Sequence, residues 1–74
     1  MNITIKFNDN IEHNYNSIEE ILNIYNYNDI IYMNGYGNNL SSLPELPNSL
    51  KYLNCNYNNL SILPELPNSF THIQ

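Results

Sequence analysis

The chain repeats itself every 20 residues, and that period constrains its fold more than any other feature. Leu40-Ser-Ser-Leu-Pro-Glu-Leu-Pro-Asn-Ser-Leu50 matches Leu60-Ser-Ile-Leu-Pro-Glu-Leu-Pro-Asn-Ser-Phe70 at nine of eleven positions, the differences being Ser42/Ile62 and Leu50/Phe70. Carried back by the same step, Ile30, Met33, Gly35, Asn38 and Leu40 fall under Leu50, Leu53, Cys55, Asn58 and Leu60. Carried forward, Phe70 and Ile73 fall under Leu50 and Leu53. A unit this short cannot bury an apolar face alone, so each copy must bury its leucines against the next.

Within the unit, Leu53 and Cys55 alternate with Tyr52, Asn54 and Asn56, the period-two pattern of a strand with one buried face. This predicts short strands centred on Met33, Leu53 and Ile73. Pro44, Pro47, Pro64 and Pro67 have a fixed φ and no N–H, so the Leu-Pro-Glu-Leu-Pro stretches are expected to be extended and outside the sheet. Leu43, Leu46, Leu63 and Leu66 should then point inward from the returning side, opposite the strand residues. Asn38 and Asn58 fall where the chain leaves each strand, a place where a side-chain amide can satisfy the backbone groups of the bend. Asn39 and Asn59, one residue on, should face solvent. Asn34-Gly35 admits two readings. Local rules make it a hairpin turn, whereas the repeat places it under Asn54-Cys55, inside a strand, with Gly35 leaving a gap in the apolar column.

Leu50-x-x-Leu53-x-Cys55-x-x-Asn58-x-Leu60-x-x-Leu63-Pro-x-Leu66-Pro resembles the leucine-rich repeat family, and its Leu-Pro-x-Leu-Pro close is similar to the short 20-residue class known from bacterial effector proteins. The resemblance covers roughly residues 30 to 74. It implies a short solenoid, with parallel strands on the concave side, an extended Pro-rich convex side, and about two coils plus a partial third over residues 29–74. It also implies that the concave strand face binds the partner. The outward positions of that face are Tyr32, Asn34, Tyr36, Tyr52, Asn54, Asn56, Tyr57 and His72. Tyrosines offer a large rigid area with a polar handle, although they could equally serve only to stack on one another. Asparagine, isoleucine and tyrosine supply 34 of the 74 residues, a bias towards A- and T-rich codons. Together with the repeat class, this resembles the leucine-rich repeat proteins of AT-rich large DNA viruses, which implies a host protein as partner.

Residues 1–28 read as an N-terminal cap for the exposed end of such a solenoid. Ile3, Ile5 and Phe7 alternate with Thr4 and Lys6 as a half-buried strand, Phe7–Ile11 supplies a turn, and a returning strand begins near Ile11 and His13. Ser17-Ile18-Glu19-Glu20 matches a capping box, and Ile18, Ile21, Leu22 and Tyr25 give an apolar stripe that predicts a helix over about residues 18–26. The same stretch is similar to the first helix of an F-box, a ubiquitin-ligase adaptor motif, without its opening Leu-Pro or its later helices.

The remaining chemistry is sparse. Seven acidic residues against Lys6 and Lys51 give a formal charge of −5, which repels nucleic acid and would favour a basic protein partner or simply keep the chain soluble. Cys55, His13 and His72 lack the spacing of a metal site, no glycine-rich phosphate loop is present, and neither histidine has a recognisable catalytic partner. Cys55 holds a core position of the repeat. No cofactor, metal, membrane or enzymatic role is therefore expected. No apolar run reaches membrane-spanning length and the first residues do not resemble a signal peptide, which predicts a cytoplasmic protein. Three functions remain open: a non-enzymatic protein-interaction module, an assembly piece that associates through an uncapped C-terminal strand, or a truncated F-box-like ubiquitin-ligase adaptor; the open strand would otherwise mark a truncated member of a family of longer proteins.

Overall fold

In the computed structural model, residues 2–56, 58–60, 64–68 and 70–73 are described, the last two by their backbone alone. Leu63 and Tyr57, named above, lie outside the described residues, as do the side chains of His72 and Ile73.

Alternation of apolar and polar residues sets the first strand. In β1 (Ile3–Lys6) Ile3 and Ile5 are buried while Thr4 and Lys6 are half-buried on the other face. Asn10 turns the chain at a φ of 65°, its N–H donating to the Phe7 carbonyl at 3.0 Å, a conformation asparagine tolerates better than most residues. The chain returns as β2 (Glu12–Tyr15), antiparallel to β1. Ile11 is left 57% exposed, so the returning strand turns His13 and Tyr15, not Ile11, towards the core side.

The helix, α1 (Ile18–Leu22), begins at the expected N-cap, Ser17, but the glutamate of the box reaches one residue further back, to Asn16. Glu20 N–H donates to Ser17 Oγ at 3.3 Å, and the Glu20 carboxylate accepts from Asn16 N–H at 3.2 Å. It is shorter than expected, ending at Asn23. Of the expected stripe, Ile21 is buried and Ile18 packs against the core, but Leu22 is 44% and Tyr25 99% exposed. Asn23-Ile24-Tyr25-Asn26 contains only weak helix formers. By breaking there, the chain turns Ile24 and Tyr27 towards the core instead, and a single 3-10 turn, Tyr27–Asp29, leads into buried Ile30.

Three short strands follow: β3 (Tyr32–Asn34), β4 (Tyr52–Asn54) and β5 (His72–Ile73). They run parallel with a register of 20 residues, Tyr32 opposite Tyr52 and Tyr52 opposite His72. The whole forms one five-stranded sheet in the order β2-β1-β3-β4-β5.

This architecture overturns the expected solenoid closed by a separate cap. The hairpin does not lie across an end of stacked coils. β1 pairs antiparallel with β3, Ile5 opposite Met33, and so becomes a central strand. Antiparallel pairing, four residues along β1–β2 and three along β1–β3, outweighs parallel pairing, three along β3–β4 and two along β4–β5. Among the described residues the sheet is thus mixed and open, with one lone α-helix, and no solenoid of parallel strands results. The radius of gyration, 11.2 Å, is that of an ordinary globular chain of this length, for which about 11 Å is expected. The physical reason is the shared core. Ile3, Ile5 and Ile21 from the N-terminal segment are buried with Ile30, Met33, Leu46, Leu50 and Leu53 in one cluster, and Phe7, Leu43, Cys55 and Phe70 pack at its margin. An N-terminal hairpin whose isoleucines meet the repeat leucines is stabilised more as a neighbouring strand than as a lid.

Leu40 and Leu60 are half-buried. Leu66, expected to point inward as Leu46 does, is 42% exposed. It belongs to the repeat at the β5 edge, where the described residues place no further layer over it.

Asparagine amides join these segments. Asn58 Nδ2 donates to the carbonyls of Gly35 at 2.8 Å and Cys55 at 3.0 Å, while Asn58 Oδ1 accepts from Leu40 N–H at 2.7 Å. Asn38, 3% exposed, does the same one repeat earlier, bonding both backbone groups of Asn2 and the Tyr36 carbonyl. Asn39 and Asn59 are exposed and bonded to each other at 2.6 Å. Asn34-Gly35 forms no hairpin: Gly35 N–H donates to the Asn54 carbonyl at 2.8 Å, continuing the parallel pairing.

Two predictions follow from this bonding. Asn58→Ala strands backbone groups on both sides of the amide and should cost about 1 to 3 kcal/mol, whereas Asn59→Ala should stay within about 0.5 kcal/mol; urea denaturation of the two variants checks it. At Gly35 the backbone is not left-handed, and an added Cβ would meet Leu40 Cδ1 at 3.4 Å and the Asn54 carbonyl oxygen at 3.9 Å, both ordinary contacts. Gly35→Ala should therefore be neutral or stabilising by up to about 1 kcal/mol. Gly37, at a φ of +68°, should lose about 1 to 2 kcal/mol on the same change. A large loss at Gly35 would mean a turn there after all.

Candidate interaction face

The strand register gathers polar side chains into two rows across the sheet, on the face away from the core. The first contains Glu12, Lys6, Tyr32, Tyr52 and the His72 position; the second contains Asn14, Thr4, Asn34 and Asn54. Alternation with buried Ile3, Ile5, Met33 and Leu53 puts both rows on that side.

In the first row the Tyr32 and Tyr52 rings stack at 4.6 Å between centroids and 6° between planes. Lys6 Nζ lies 4.6 Å from the centroid of the Tyr32 ring, a cation–π contact of about 0.5 to 1 kcal/mol at an exposed site. The row is therefore pre-ordered, and a partner meeting it would restrain few further rotamers. In the second row Thr4 Oγ1 donates to Asn14 Oδ1 at 2.7 Å. Asn34 and Asn54 turn their Oδ1 atoms back onto the following bends, accepting from Tyr36 and Asn56 N–H at 3.0 and 3.1 Å. These two asparagines, expected to address a partner, thus spend their side-chain acceptors on their own backbone. Tyr36, 53% exposed, and Asn56, also exposed, extend the face at its edge.

Lys6, Glu12, Thr4 and Asn14 join the face although the repeat does not point to them. Their only signal is that Thr4 and Lys6 alternate with Ile3 and Ile5, and it becomes informative once β1 is known to neighbour β3. The face carries one cation and one carboxylate in its rows, so the acidity of the chain lies elsewhere.

Some of it lies across the core, where Glu45, Leu46 and Asn48 of one repeat and residues 64–68 of the next border an open groove of about 930 Å³. The Tyr27 hydroxyl ties one wall down by donating to the Glu45 carbonyl at 2.6 Å. Burial, with a smaller contribution from the Glu45 charge, pushes that hydroxyl up to about 12.

No catalytic arrangement comes together among the described residues. Cys55 is half-buried at the core margin, and burial raises its thiol above the usual range, so little nucleophilic thiolate forms at neutral pH. His13 packs edge-on against Phe7 at 5.5 Å. No group of three or more His, Cys, Asp or Glu residues suited to a metal ion, and no helix long and apolar enough to cross a membrane, occurs among the described residues. Comparison with protein-family models, curated proteins and solved structures returns no match.

Tyr27 provides a pH test. Its unfolded hydroxyl ionises near 10.0 and its folded one near 12. Between those values the unfolded chain releases a proton that the native one keeps, so stability should be intact below 10 and fall as pH climbs towards about 12. Tyr27→Phe should lose this slope, as read from urea midpoints across the same interval.

Proposed function

We propose that the chain is a non-enzymatic protein-interaction module that binds its partner on the outward face of the sheet. The observation that carries this reading is the pre-ordered row Lys6-Tyr32-Tyr52, beside exposed Tyr36. Aromatic side chains held rigid at a surface contribute contact area at low entropic cost. The near-neutral charge of the rows suits a partner surface that is itself polar and aromatic rather than strongly charged. The likeness of the 20-residue unit to the leucine-rich repeat points the same way, since strand faces are that family's usual binding surfaces, and a host protein is the partner its viral likeness implies. With Cys55 as its one cysteine the chain can form no internal disulfide, which suits a cytoplasmic setting. The partner-contacting set comprises Tyr32, Asn34, Tyr36, Tyr52, Asn54 and Asn56, with Tyr57 and His72 next to them along the chain or in register.

The assembly reading keeps its own support. β2 and β5 are the sheet's two edges, and both run parallel to β3, so an edge-to-edge contact between copies would continue the sheet. The F-box likeness has less support, because α1 is five residues long and turns Ile21 into the core.

Affinity purification of the chain against its Tyr32→Ala/Tyr36→Ala/Tyr52→Ala variant tests the first reading. A partner recovered with the parent chain and lost from the folded variant is the expected outcome; equal recovery would sink it. Light scattering separates the second reading, for which a concentration-dependent mass is required.

A further inference from the structure

We infer that the groove between the two Leu-Pro-Glu-Leu-Pro segments is a second docking surface, shaped for an extended segment of a protein partner that carries arginine or lysine. It is separate from the sheet face and lies on the other side of the core.

Shape comes first. The groove encloses about 930 Å³, near the upper end of the range of roughly 300 to 1,000 Å³ for small-molecule sites. Glu45, Asn48, Glu65 and Leu66 are all exposed along it, so it is a trough and not an enclosed cavity. A chain laid lengthwise fits such a space better than a compact ligand.

Chemistry then selects the chain. Leu46, Leu66 and Pro64 supply the apolar lining, and Leu66 is 42% exposed. Glu45 and Glu65, the same position of two successive repeats, put two carboxylates on the groove, and among the described residues no lysine or arginine lines it. Of the two lysines, Lys6 lies over Tyr32 on the sheet face, and Lys51 opens the approach to β4. Pro64 and Pro67 have no N–H, Asn48 and Asn68 add uncharged amides that both donate and accept, and the formal charge of the lining residues is wholly negative. The matching occupant is cationic and donor-rich. Arginine lays an apolar stem along Leu66 while its guanidinium meets a carboxylate. A second copy of this chain, at −5, is repelled, and so is nucleic acid. A polyproline ligand needs an aromatic-lined groove, and among the described residues no aromatic side chain lines this one.

The wall is also held in place. Tyr27 bonds the Glu45 carbonyl at 2.6 Å, and Asn28 bonds the N–H groups of Asn48 at 3.1 Å and Ser49 at 3.2 Å. A partner segment therefore meets a formed surface, which lowers the cost of ordering on binding.

The test titrates the full chain with a short fluorescein-labelled peptide alternating arginine and leucine, read by polarisation, with backbone amide shifts followed in parallel. Binding should weaken about tenfold in Glu45→Gln/Glu65→Gln, equivalent to about 1.4 kcal/mol, and measurably in Leu66→Ser. It should be unchanged in Tyr32→Ala/Tyr52→Ala and in Glu19→Gln/Glu20→Gln, which removes the same charge from the exposed side of α1. Amide shifts should centre on Glu45, Leu46, Asn48, Glu65, Leu66 and Asn68. The proposal is overturned if the peptide does not bind, if the Glu19/Glu20 variant loses as much affinity as the groove variant, or if the shifts map to the sheet face. Circular dichroism of each variant establishes that it is folded.

Discussion

The amide groups of Asn38 and Asn58 are the joints on which the rest of this structure depends. Each reaches from the bend after a strand to the backbone of the segment before it: Asn58 to Gly35 and Leu40, Asn38 to both backbone groups of Asn2. Without them the bends would leave carbonyls and N–H groups unpaired against the core, where each costs about 1 to 3 kcal/mol. Among the described residues no buried side-chain polar atom lacks a partner. A small chain with a thin core can keep one conformation only if its polar groups are this well satisfied.

Asn38 matters for a second reason. It binds not another copy of the repeat but the start of the hairpin, so the N-terminal segment enters the sheet beside β3. That contact helps hold the hairpin where core burial places it: β1 is an interior strand, Ile3 and Ile5 are buried with Met33 and Leu53, and the polar rows extend to Lys6, Thr4, Glu12 and Asn14. The candidate face is therefore a joint product of repeat and hairpin. Its best-ordered feature, Tyr32 between Lys6 and Tyr52, takes one neighbour from each.

Polarity divides the molecule into two unlike surfaces. The sheet face combines stacked aromatic rings with amides and carries a balanced pair of charges, Lys6 and Glu12, in register. The proline-bordered groove combines exposed Leu66 with two carboxylates and no cation. The same period produces both: positions that alternate in the strand give one surface, and positions fixed by proline give the other.

The 20-residue offset, the strand positions at Tyr32–Asn34 and Tyr52–Asn54, the N-cap at Ser17 and the placing of Asn38 and Asn58 at the bends after the strands could all be read from the chain itself. They rest on periodicity, proline stereochemistry and local hydrogen bonding, which operate over a few residues. The place of the hairpin, the length of α1 and the exposure of Leu66 and Tyr25 could not. Alternation shows that Ile3 and Ile5 face a core but not which strand lies beside them. Likewise, a helical stripe shows that Tyr25 could be buried, but not that Ile24 and Tyr27 meet the core instead. Those choices are settled by competition among segments for one small apolar interior, a quantity that exists only once the chain is folded.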